Sequence, residues 1–168
     1  MGVERWHVAY DEAGIAEDDR PPEALIDEVS HAGVIASSDL PRAVMSAAHL
    51  ARGREVTISP LLREVPLPIP GSFPFRVPLA AWAALIHLRW GFDLARRRGA
   101  PIEAIERARL AARWCGETCA RDVDGGVLAV VTHGAFRRLL AQELLVHHWR
   151  AKPGRRSYAH WSVWRLEN

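Results

Sequence analysis

A chain of 168 residues with 49% hydrophobic side chains can bury one core, and residues 1–168 read as a single domain. Lys and Arg number 22 against 20 Asp and Glu, and a net charge of +2 argues against a nucleic-acid partner. No apolar run nears the ~18 residues of a membrane span. The first seven residues carry no hydrophobic leader, so no membrane partner and a cytoplasmic location are expected.

In chain order, residues 4–20 are polar and without a clear period. Pro21 and Pro22 suit the start of a helix over Glu23–Ala32. Val34-Ile35-Ala36-Ser37, after Gly33, reads as a short buried strand. Ser38 or Asp39 can cap the next helix, and Pro41 fits its first turn. Leu40, Val44, Ala47, Ala48 and Ala51 give that helix an apolar face, and Gly53 stops it. Val56-Thr57-Ile58 reads as a second strand.

Six prolines between Pro60 and Pro78 remove backbone donors, which predicts an extended surface or pocket-lining loop. Leu79–Trp90 regains helical character. Arg96-Arg97-Arg98 and Arg155-Arg156 read as solvated helix ends or loops. Pro101 opens a long helix, Ile102–Arg121, with a stripe at Ile102, Ile105, Ala108, Ala112, Cys115 and Cys119. The two cysteines read as small core residues rather than a metal pair, and no metal or organic cofactor is expected.

Asp124-Gly125-Gly126 forms a turn, and Val127–Val131 is the continuous apolar run of a strand covered on both faces. Phe136, Leu139, Leu140 and Leu144 then mark a helix. Tyr158–Leu166 alternates roughly, as a closing strand would. Strands alternating with helices predict a three-layer α/β/α domain.

Two strand-to-helix junctions carry candidate chemistry: Ser37-Ser38-Asp39-Leu40-Pro41-Arg42-Ala43 and Val131-Thr132-His133-Gly134-Ala135. Ligands of open α/β sheets sit where strands end and helices begin. Free N–H groups and the partial positive charge of a helix N-terminus suit phosphate. Arg42 would project from one such helix, His133 would stand at the mouth of the other, and Gly134 would let backbone approach a ligand.

Together with Leu62-Arg63-Glu64, these junctions resemble the histidine phosphatase superfamily, the phosphoglycerate-mutase-like fold. That family shows Ser-Asp-Leu-x-Arg-Ala, then Leu-x-Glu, then an apolar strand ending in His-Gly. The likeness spans roughly residues 33–145, and Arg138 also matches a common family position. Glu64–Pro70, with Trp82 and Trp90, resembles a bacterial branch with a short proline-rich insertion.

The resemblance implies a small phosphorylated molecule or phosphate as partner. It implies Arg42, His133, Gly134 and Ala135 as phosphate contacts. It implies catalytic roles for His133, stabilising the transferring group, and for Glu64, as general acid. Planar, always-charged arginine suits phosphoryl oxygens.

The family's nucleophile is the histidine of an Arg-His-Gly motif on its first strand, and this sequence contains no such motif. The nearest match is Arg5-Trp6-His7, and His7 reads as a loop residue. Residues 5–15 match the family segment just after that strand, so an N-terminally incomplete, truncated sheet is expected. Unpaired backbone groups would then cost ~1–3 kcal/mol each. Three functions are compatible with this pattern. One is a phosphatase or phosphoryl-transfer enzyme needing a supplied nucleophile. Another is a non-catalytic phosphate-binding or regulatory module. The third is a remnant that pairs its sheet with another chain as a homodimer. The sequence names no substrate and does not separate phosphatase from mutase.

Overall fold

The computed structural model describes residues 11–66, 102–121, 126–154, 157 and 159–168. His7, the expected helix at Leu79–Trp90 and most of the proline-rich stretch lie outside these residues.

In chain order the elements are α1 (Glu23–Ser30), β1 (Val34–Ser37), α2 (Pro41–Ala51), β2 (Thr57–Ile58), a 3-10 turn (Pro60–Leu62), α3 (Ile102–Arg121), β3 (Leu128–Val131), α4 (Gly134–Val146), β4 (Arg150–Ala151) and β5 (Leu166–Glu167). The first three strands form a parallel sheet in the order β2-β1-β3. Val34 to Ser37 lie opposite Leu128 to Val131, and Ala36 and Ser37 lie opposite Thr57 and Ile58. The ladder continues beyond the strands: the Ser38 N–H donates to the Val131 carbonyl (3.0 Å) and the Ser59 N–H to that of Ser37 (2.8 Å).

Strand alternation sorts the core into two halves. Ile35, with Ala129 and Val131, faces Ile26 and Val29 of α1 and Leu50 and Ala51 of α2. Ala36, with Leu128 and Val130, faces Ala108, Ala111 and Ala112 of α3 and Phe136, Leu139 and Leu140 of α4. The result is the expected three-layer α/β/α sandwich. Alanines at the α3 contacts let that helix approach both the sheet and α4 closely.

Several details differ from expectation. α1 ends at Ser30, and Arg54 reaches back and donates to the carbonyls of Val29 (3.2 Å), Ser30 (3.2 Å) and Ala32. The Val29 carbonyl also accepts from the Ala32 N–H (3.0 Å), and a cation at this helix end complements the helix dipole. Arg54→Ala is expected to lower stability by about 1–2 kcal/mol. A urea titration checks this: the midpoint should fall while the slope stays constant.

The apolar faces are also rotated. α2 buries Ala43, Ser46, Ala47, Leu50 and Ala51, whereas Ala48 is exposed. α3 buries Ala104, Ala108, Ala111, Ala112, Cys115 and Thr118, while Ile102 is 75% exposed. Cys115 is buried as expected, Cys119 is half-buried, and both are free thiols. Desolvation pushes the Cys115 thiol up to about 12, which leaves it unreactive. α4 buries its expected Phe136, Leu139, Leu140 and Leu144.

β3 is only half-buried along its length, since it has β1 on one side and no second neighbour among the described strands. The expected strand over Tyr158–Leu166 reduces to Leu166–Glu167, paired antiparallel with Arg150–Ala151. Ala159–Trp161 turns instead, with Trp161 at φ 58. Hydrogen bonds pin this turn: Trp161 Nε1 donates to Asp19 Oδ1 (2.6 Å), and His160 Nδ1 lies 2.7 Å from Asp19 Oδ2.

Candidate active site at the carboxyl ends of the strands

The parallel ladder brings the ends of β1 and β3 side by side, so both junctions open on the same edge of the sheet. The 3-10 turn after β2 joins them. Thr132 Oγ1 donates to the Leu62 carbonyl (2.7 Å), which fixes the Leu62-Arg63-Glu64 segment against the end of β3.

His133 is the residue before α4, extended at φ −109 and ψ 159, and is only 7% exposed. Its Nε2 shares a 2.9 Å hydrogen bond with the fully buried Ser38 Oγ. Ser38 Oγ also accepts from the Leu40 N–H (3.3 Å), and Ser37 Oγ donates to the Ser38 carbonyl (2.9 Å). Burial first, then the positive charges of Arg42 and Arg107, hold the imidazole down to about 4, with Asp39 opposing weakly. His133 is therefore neutral near pH 7 in this state.

The capping expectation is corrected here. Leu40 is the residue before α2, and no side chain caps that helix. Ser38 instead holds the catalytic candidate of the other junction. Asp39 accepts both arms of Arg63, from Nε (2.7 Å) and Nη2 (2.6 Å). That bond holds the Asp39 carboxyl below its usual range.

Arg42 stands in the first turn of α2, as its spacing predicts, with its side chain 14% exposed. Its Nη2 lies 3.6 Å from Asp11 Oδ1. Glu64 is the most enclosed of the acidic candidates. Its Oε1 accepts from the Val65 N–H (2.9 Å) and the Phe136 N–H (3.0 Å). The carboxyl thus sits on the N-terminus of α4, where the helix dipole favours an anion. Desolvation still dominates and pushes the carboxyl above its ordinary range, against those N–H bonds and the charge of Arg42.

Glu64 is bonded to the first turn of α4 and His133 stands just before that helix, so both lie at one helix end, where the charge of Arg42 bears on each. Gly134 opens α4 and is exposed, and Ala135 is buried behind it. Ser38 and Arg107 complete the cluster, and their sequence context does not single them out. Ser38 lies in the junction motif but reads as a cap. Arg107 sits on a polar stretch of α3 and has no motif at all.

A parallel three-layer domain with an arginine, a histidine and a glutamate gathered at its strand ends is the architecture expected of phosphoryl chemistry on a phosphoglycerate-mutase-like fold. The family model described as histidine phosphatase superfamily (branch 1) matches residues 11–168. The chain belongs to that superfamily. No curated protein and no solved structure matches it. No helix among the described residues is long and apolar enough to cross a membrane.

Proposed function

We propose that the chain binds the phosphoryl group of a small phosphomonoester where β1 and β3 end. Arg42, His133 and the start of α4 at Gly134–Ala135 contact the phosphoryl oxygens. When a supplied nucleophile takes the phosphoryl group, Glu64 delivers the proton to the leaving oxygen as the P–O bond breaks. The observation that carries this reading is the meeting of Glu64 with the start of α4 through the Phe136 N–H (3.0 Å), at the same helix end that the buried His133 precedes. Burial keeps the Glu64 proton available closer to neutral pH, as a general acid requires. A phosphate dianion beside His133 favours its imidazolium, so ligand binding brings the donor proton that burial disfavours.

Hydrolysis or transfer through a phosphohistidine needs a nucleophile, and the sequence holds no Arg-His-Gly to supply it. Turnover by this chain alone is therefore expected to be weak or absent. That missing motif favours a second reading: a non-catalytic module, regulatory or associating through its sheet, that binds phosphate esters in the same pocket. The cytoplasm remains the expected location under either reading.

An aryl phosphate assay separates the two. Under the first, turnover is detectable and Glu64→Gln lowers it about 100-fold or more, the range of one general acid. Under the second, the aryl phosphate binds without release of phenol. A chain that neither binds nor cleaves the ester overturns both.

A further inference from the structure

Arg107 makes an arrangement that the proposed chemistry does not require of it. It lies on α3, yet it reaches across to two consecutive carbonyls of the Leu62-Arg63-Glu64 segment. Nη1 donates to the Arg63 carbonyl (2.6 Å) and Nη2 to the Glu64 carbonyl (3.1 Å). The guanidinium carbon lies 4.6 Å from the centroid of the Phe136 ring. The N–H of the same Phe136 donates to the Glu64 carboxyl (3.0 Å). A closed circuit results: α3 grips the Glu64 backbone, α4 holds the Glu64 carboxyl, and Arg107 and Phe136 stack where the two helices meet.

We propose that Arg107 is a positioning residue of the phosphate pocket. It locks Glu64 against the N-terminus of α4 and sets a fixed positive charge beside His133. The proposal rests on the pocket reading given above.

Arginine suits this place for a reason that lysine does not meet. Its planar fork spans two adjacent carbonyls at once, and it stays charged when half-buried. The charged groups acting on His133 are Arg42 from α2, Arg107 from α3 and, with opposite sign, Asp39 from the β1–α2 loop. Arg107 thus adds, after burial and Arg42, to what disfavours the imidazolium of His133. A cation held there also adds to the potential that draws an anion in.

The test compares Arg107→Met, which keeps the stem but removes the charge, with Arg107→Lys, which keeps the charge. The His133 ring is titrated by NMR, and orthophosphate binding is measured by calorimetry. In Arg107→Met the His133 titration should rise by about one pH unit, and phosphate affinity should fall about tenfold. In Arg107→Lys the titration should stay within a few tenths of a unit of wild type. If Arg107→Met does not fold, Arg107→Gln, which retains an amide donor for a carbonyl, takes its place.

A uniform loss of stability in both variants, with His133 titrating as in wild type and phosphate binding unchanged, overturns the proposal and leaves Arg107 a structural tether. Wild-type protein that binds no orthophosphate contradicts the pocket reading instead, and the His133 titration still decides the role of Arg107.

Discussion

Phe136→Ala is expected to destabilise the protein by about 3–5 kcal/mol, the range for emptying a fully buried aromatic site. The ring is 0% exposed and lies in the core half that joins Ala36 of β1, Leu62, Val65, the alanines of α3 and Leu139 of α4. Those neighbours are short or held on regular elements, so the cavity has little means of collapse. The substitution also removes the partner of the Arg107 guanidinium. It spares the Phe136 N–H, so the Glu64 bond is lost only if α4 moves. A domain of this size holds about 5–15 kcal/mol in total, and the variant would stand near the edge of folding. Urea titration measures the loss, and a change under about 1 kcal/mol would contradict the assigned core.

His133 is expected to make folding acid-sensitive over a defined window. Its ring is held down to about 4 in the folded chain, against 6.5 unperturbed. The unfolded chain therefore binds more protons between those values, and stability is lost as pH falls from about 6.5 to about 4. The shift corresponds to about 3 kcal/mol at full effect. Glu64 acts with the opposite sign. Its raised folded pKa makes the folded chain the better proton binder, so its contribution falls as pH rises through the carboxylate range.

The difference between wild type and His133→Asn isolates the histidine. Wild type should lose about 3 kcal/mol relative to the variant between pH 7 and pH 4. Parallel stability curves for the two proteins would show that His133 is not held neutral by its site.

Much of this fold is legible in the sequence, and the departures have a common physical origin. β1 and α3 occupy the expected bounds, because Val34–Ser37 sits between turn signals and Ile102–Arg121 comes after a proline. The inward faces of α2 and α3 depart from the periodic reading. Both helices are alanine-rich, and alanine gives almost no periodic contrast, so the neighbours decide which alanines are buried. Ile102 has the stronger apolar character but lies exposed at the helix start. The closing strand is shorter than expected because alternation over Tyr158–Leu166 competes with bonds from Asp19, more than 100 residues away in sequence.

The site shows the same division. Arg42, Glu64 and His133 are legible because each lies in a motif at a strand end. Ser38 reads as a helix cap because its local context, a serine before Pro41, favours one. Only the β1–β3 register shows that its hydroxyl meets His133 instead. Arg107 lies among Glu106 and Arg109 on a charged helix surface, and nothing local marks it. Its importance comes from a contact spanning 43 residues of sequence.

If Arg42 and His133 hold a phosphoryl group, removing the Arg42 guanidinium must weaken phosphate binding. Calorimetric titration of inorganic phosphate into wild type and Arg42→Ala tests it most directly. One saturable site is expected in wild type, weakened at least tenfold in the variant, since a charged hydrogen bond contributes about 1.5–3 kcal/mol. Equal affinities in the two proteins, or no saturable site in wild type, would contradict it.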